Sequence, residues 1–180
     1  MIGIPMRAPT TDGTSVPDLP PVDAGRALRQ ALGRFATGVT VVTTRAPDDS
    51  FVGLTANSFS ALSLEPPLIS WALRLASASL AVFQQSPRFV VNVLTEDQVE
   101  VSRLFASRGA SRFDQVAHAE NVHGLPYLHG AAAWFACRQV SWQVAGDHCL
   151  FIAEVEDHRH SDAAPLLFHA GGYHALGPRL

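Results

Sequence analysis

Residues 131–144 constrain the fold of this chain more than any other stretch. Trp134, Ala136, Val140, Trp142 and Val144 share one parity, and Gln139, Ser141 and Gln143 share the other. That alternation predicts a strand with one apolar face. Gly146-Asp147 follows as a turn, and residues 150–158 read as the hairpin partner. Further strands are predicted at 39–44, 51–54, 68–73 and 89–94, with short closing strands at 166–168 and 173–176. Helices are few. One is expected over 24–35, capped by Asp23, with Leu28, Leu32 and Phe35 at helical spacing. A second covers 78–85 behind a Ser77 cap. A third covers 96–107 and offers Val99, Val101, Leu104 and Phe105 for burial. No βαβ unit repeats, so the pattern is mainly β with peripheral helices, arranged as a barrel within one domain over 23–180. Residues 1–22 are rich in Pro, Thr, Gly and Asp, lack a periodic apolar face and read as a disordered tail. Residues 110–130 read as loop and carry three His.

With 180 residues, 47% of them hydrophobic, the chain can fill one core. A net charge of −3 gives no electrostatic footprint for nucleic acid. No stretch reaches the ~20 apolar residues of a membrane-spanning helix, and the N-terminus lacks a signal-peptide core. A cytoplasmic protein with no membrane partner is expected. Cys137 and Cys149 fit reduced thiols. With the hairpin turn centred on 146–147, Val144 faces Cys149, and the geometry argues against a disulfide. All thirteen basic residues are Arg, so a bound phosphate would be held by Arg, backbone N–H groups or hydroxyls.

Residues 53–68 place small polar side chains between apolar anchors. Thr55, Asn57, Ser58, Ser60 and Ser63 offer donors and acceptors without charge, Leu54, Phe59, Leu62 and Leu64 can fix the segment on a core, and Pro66-Pro67 ends it. Such a surface suits a flat heterocycle with a polar edge. It contains no general base and no nucleophile pair, so chemistry there would be carried by a bound cofactor. A plain polar turn between two strands is the alternative.

The same stretch resembles the flavin-binding segment of the short-chain flavin reductases, the reductase partners of two-component flavin monooxygenases. Three more stretches match in order. Arg34-Phe35-Ala36-Thr37-Gly38-Val39-Thr40-Val41-Val42-Thr43-Thr44 is similar to the family's opening run. Phe89-Val90-Val91-Asn92-Val93-Leu94 is similar to its central strand. Ala145-Gly146-Asp147-His148 is similar to its late hairpin, followed by a Pro-Leu-Leu-Phe and Gly-Tyr-His ending at 165–174. The resemblance covers about 24–176. It implies a split β-barrel that binds FMN or FAD, usually as a homodimer, and reduces it with NADH or NADPH. Reduced flavin would then pass to a separate flavin-dependent monooxygenase. It further implies that Thr55, Ala56, Asn57, Ser58 and Ser63 bind flavin and that His148 contacts the nicotinamide as the catalytic residue. A non-catalytic flavin carrier of the same fold is the alternative function.

Three other groups carry both a structural and a functional reading. Arg74, Ser77 and Ser79 follow a strand and open a helix, a setting that attracts anions. The resemblance adds phosphate-binding hydroxyls at Ser77 and Ser79, while Ser77 as a simple cap remains open. Asp147 either orients His148 or is only a turn residue. His158 and His160 share a strand face but lack a third ligand at fixed spacing, so no metal site is expected. Neither a Rossmann or P-loop pattern nor a G-x-S-x-G elbow is present.

Overall fold

A computed structural model describes residues 24–109 and 112–180. The tail expected over 1–22 and the cap expected at Asp23 lie outside the described residues. Helix α1 (Ala24–Leu32) is closed by Gly33, whose N–H donates to the Arg29 carbonyl at 3.0 Å. It stops short of Phe35 because glycine just past a helix favours termination. The apolar residues at helical spacing are not buried in the described chain: Leu28, Leu32 and, beyond the helix, Phe35 are 60%, 66% and 79% exposed.

Strands β1 (Thr37–Gly38), β2 (Thr40–Arg45), β3 (Phe51–Ala56), β4 (Ser60–Leu64) and β5 (Pro67–Arg74) follow. Then come α2 (Leu80–Gln85), β6 (Arg88–Val93), a 3-10 turn (Glu96–Gln98) and α3 (Val99–Ala106). The chain ends with β7 (His118–Glu120), β8 (Pro126–Leu128), β9 (Ala133–Ala145), β10 (His148–His160), β11 (Leu167–His169) and β12 (Gly172–His174). Seven strands form one sheet in the order β3-β2-β6-β9-β10-β5-β4. Smaller sheets, β1-β11-β12 and β7-β8, pack beside it.

Two readings change. Residues 53–68 are not one loop: β3 ends at Ala56, β4 occupies Ser60–Leu64, and β5 starts at Pro67. The Ser and Ala of β4 read as turn residues but sit on an exposed edge strand, where small polar side chains are tolerated. Within β9 the single parity is broken. Ser141 pairs with Ile152 and Gln139 with Ala153, so Val140 is an extra residue, a β-bulge. Trp134 and Trp142 therefore lie on opposite faces. Trp134 packs with Tyr127 against Val90, Leu125 and Ala136. Trp142 stands opposite Phe151, on the face of the main core.

That core gathers Val42, Trp71, Phe83, Phe89, Val91 and Phe151. Trp71 stacks on Phe151 with ring centroids 4.6 Å apart. Cys149 faces Val144, Cys137 faces Val155, and both thiols are free and buried. Burial, with a lesser contribution from Glu156, pushes the Cys137 thiol up to about 12.

One buried side chain cross-links three strands. Asn92 on β6 donates to the Val41 carbonyl of β2 at 2.9 Å and accepts from the Leu128 N–H of β8 at 2.8 Å. Asn92→Leu keeps the volume but leaves buried backbone groups unpaired. It should cost about 1–3 kcal/mol, read as a lower denaturant midpoint with an unchanged slope.

Candidate functional site

Strands β5 and β10 meet at one end of the sheet, where Arg74, the last residue of β5, pairs with His148, the first of β10. The two-residue turn between β9 and β10 takes positive φ at its first position, and Gly146 supplies 61°. The turn is tied to the exit of β5 by the Leu75 N–H, which donates to the Asp147 carbonyl at 2.9 Å. The Asp147 carboxylate accepts a hydrogen bond from His148 Nδ1 at 2.7 Å. A carboxylate only accepts, so the bonded Nδ1 carries a proton. Asp147 thus orients the histidine as well as forming the turn. The His148 bond, helped by the charges of His148 and Arg74, holds the Asp147 carboxyl below its usual value.

The 57–58 segment is fastened beside the same end. Ser58 Oγ donates to the Ala72 carbonyl at 2.9 Å and accepts from the Ala72 N–H at 3.0 Å. A side chain thereby replaces the strand partner that β4, starting at Ser60, does not provide. Asn57 is exposed beside it, with its amide uncommitted. Thr55 and Ala56 shape the end of β3. Thr55 Oγ1 donates to the Ser102 carbonyl at 2.6 Å, and the Ala56 carbonyl accepts from Thr40 Oγ1 at 2.7 Å.

Beyond Arg74, the Ser77 N–H donates to the Arg74 carbonyl at 2.9 Å. Helix α2 begins two residues later than expected and has only six residues. Ser77 Oγ accepts from the Ser79 N–H at 3.3 Å, and Ser79 holds the cap position without a side-chain cap bond. Asn57, Ser58, Arg74, Ser77, Ser79 and His148 therefore share one end of the sheet. Ser63 does not join them. It pairs with Leu68, six residues along β5 from Arg74 or about 20 Å at strand rise, and its Oγ accepts from the Glu65 N–H.

A separate cavity of about 350 Å³ lies against Thr44, Arg45, Arg88, His123 and Leu125. Its cations are already paired, Arg45 with Glu120 at 2.6 Å and Arg88 with Glu156 at 2.8 Å. Among the described residues no group of three His, Cys, Asp or Glu is placed to hold a metal ion. None of their helices is long and apolar enough to cross a membrane.

Residues 32–177 match the family model described as flavin reductase like domain. The chain belongs to this family. It is 37% identical to the FMN reductase (NADH) SmoA of Agrobacterium fabrum, over 86% of this chain and 88% of that protein. It is 38% identical to the reductase component of the flavin-dependent trigonelline monooxygenase of Acinetobacter baylyi, over 82% of this chain. There the chain spans only 48% of its relative's length. The NADH:FAD oxidoreductase SgcE6 of Streptomyces globisporus, solved with NAD and FAD fragments, superposes with a TM-score of 0.83 at 31% identity. That match covers 89% of this chain and 98% of the other. The fold is the split β-barrel of the flavin reductases, as the resemblance implies.

The Asp147–His148 pair has a pH signature. A carboxyl whose folded value is depressed stabilises the fold above its ordinary 3.8, and the contribution fades as pH falls through the folded value. Asp147 should titrate below 3.8 by carboxyl NMR, and His148→Ala should return it toward 3.8.

Proposed function

We propose that this chain is an NAD(P)H:flavin oxidoreductase, reducing FMN or FAD with NADH or NADPH and releasing reduced flavin to a separate monooxygenase. The observation that carries the reading is the convergence of Asn57, Ser58, Arg74 and Ser79 with the Asp147-oriented His148 at one sheet end, in a chain of this family. Ser58 is committed to the backbone, while Asn57 and Arg74 are exposed and Ser79 makes no side-chain cap bond. The donor set fits a flavin: an amide for a heterocycle edge, and a guanidinium and hydroxyl for a phosphate.

A bound flavin would supply the acceptor for a hydride from the reduced nicotinamide. This chain's residues would bind and orient: Asn57 at the ring edge, Arg74 and Ser79 at the phosphate end, and His148 at the nicotinamide. No residue at this end is asked to act as nucleophile. Neutral contacts and one Arg hold the ligand moderately, which suits release to a partner.

The protein works in the cytoplasm as a homodimer. Supporting this are apolar side chains left exposed on the described protomer: Leu28, Leu32 and Phe35 around α1, Leu62 and Leu64 on β4, and Val140, Trp142 and Val144 on β9. Exposed apolar surface of this extent marks an interface. Sedimentation at micromolar concentration should give a dimer, and a fully active monomer would count against it.

Reduction of FMN and of FAD by NADH and by NADPH tests the activity directly; tight flavin binding without turnover would select the carrier alternative. Asn57→Leu should weaken flavin binding by about 1–3 kcal/mol. His148→Ala should keep flavin affinity while slowing stopped-flow reduction, or raising KM for NADH, by about tenfold. Wild-type reduction rates in His148→Ala would remove that residue from the nicotinamide site.

A further inference from the structure

Two hydrogen bonds meeting at Ser102, one on its hydroxyl and one on its backbone carbonyl, form a relay from the small closing sheet to the edge of the candidate site. The Tyr173 hydroxyl on β12 and Ser102 Oγ on α3 are 2.9 Å apart. The Ser102 carbonyl accepts from Thr55 Oγ1 at 2.6 Å. Thr55 stands on β3, two residues before Asn57. Tyr173 is itself held from two sides. The Phe168 ring packs at 5.5 Å between centroids, and the Arg103 guanidinium lies 5.8 Å from the Tyr173 ring centre.

Ser102 is fully buried on a helix whose packed neighbours, Val99, Val101 and Phe105, are apolar. A hydroxyl there costs free energy unless it is paired, and Tyr173 pairs it. The relay ends on one edge of the main sheet. β3 is an edge strand, bonded only to β2. Side chains fasten this segment at three points: Thr55 to the Ser102 carbonyl, Thr40 to the Ala56 carbonyl, and Ser58 to Ala72. The Thr55 and Ser58 bonds lie on either side of Asn57.

We infer that Tyr173 and Ser102 are positioning residues for the flavin-contacting segment Asn57-Ser58, acting through Thr55. The Thr55 hydroxyl anchors the strand instead of meeting the ligand. The inference rests on the flavin reductase reading above and goes beyond it by assigning a role to residues at some distance from the ligand.

The test compares FMN and FAD affinity with stability in single-hydroxyl variants of the full chain. Tyr173→Phe removes one hydroxyl. It should raise the flavin Kd, by fluorescence titration, about fivefold to tenfold, the scale of one lost buried hydrogen bond. KM for NADH at saturating flavin should stay at the wild-type value. Thr55→Val should weaken flavin binding to a similar extent, and Thr55→Ser should restore it. Adding Ser102→Ala to Tyr173→Phe should cost no further affinity, because both act on one link. A lowered Tm with unchanged flavin Kd in Tyr173→Phe would overturn the inference, as would Thr55→Ser behaving like Thr55→Val. A wild-type protein that binds neither FMN nor FAD would sink the flavin reading itself, and the relay's role with it.

Discussion

The long hairpin of β9 and β10 holds the sheet together, because both halves of the sheet bond to it. The two strands have thirteen residues each. β6 pairs with the first half of β9, over 133–138, and β5 with the first half of β10, over 148–154. The two attachments are offset along the hairpin by about half its length. The strands β3-β2-β6 therefore hang from its open end, and β5-β4 from its turn end. The offset leaves the turn standing clear of β6, with only β5 beside it. Asp147 and His148 occupy that turn, so the same offset that splits the sheet presents the histidine at its margin.

Polar groups divide sharply between those spent on the fold and those left free. Asn92 and Ser102 are buried and bonded within the chain. Ser58 and Thr55 look like ligand groups in the sequence, yet their hydroxyls fasten backbone. The remaining polar groups at the sheet end, on Asn57, Arg74 and Ser79, are few and mostly uncharged. A buried polar group is stable only when paired, whereas an exposed one can wait for a ligand at little cost. The site is thus a short set of free groups held in place by a larger set of satisfied ones.

Much of this was legible because it is local. The Gly146-Asp147 turn follows from turn chemistry, and its position set the facing of Val144 and Cys149. The ordered motifs from Arg34 to His174 carried the family. What was not legible depends on distant partners. Thr55 and Ser102 are 47 residues apart, and nothing in either neighbourhood announces their bond. β4 was hidden because Ser and Ala suit both turns and exposed edges. Ser63 stands apart from Asn57 and Ser58 because the residues between them form a strand that carries it along the sheet edge. The apolar face of α1 was visible, but amphipathicity says that a face is covered without saying by what.

The bulge at Val140 divides β9 into two stretches with different surroundings. Before it, neighbouring residues such as Ala136 and Cys137 are buried on both sides of the strand. A change there disturbs one packed layer or the other, and folding itself is at stake. After it, Val140, Trp142 and Val144 remain open to solvent in the described chain. Substitutions in that second stretch leave the interior intact. One extra residue thus gives a single strand a packed base and an open tip.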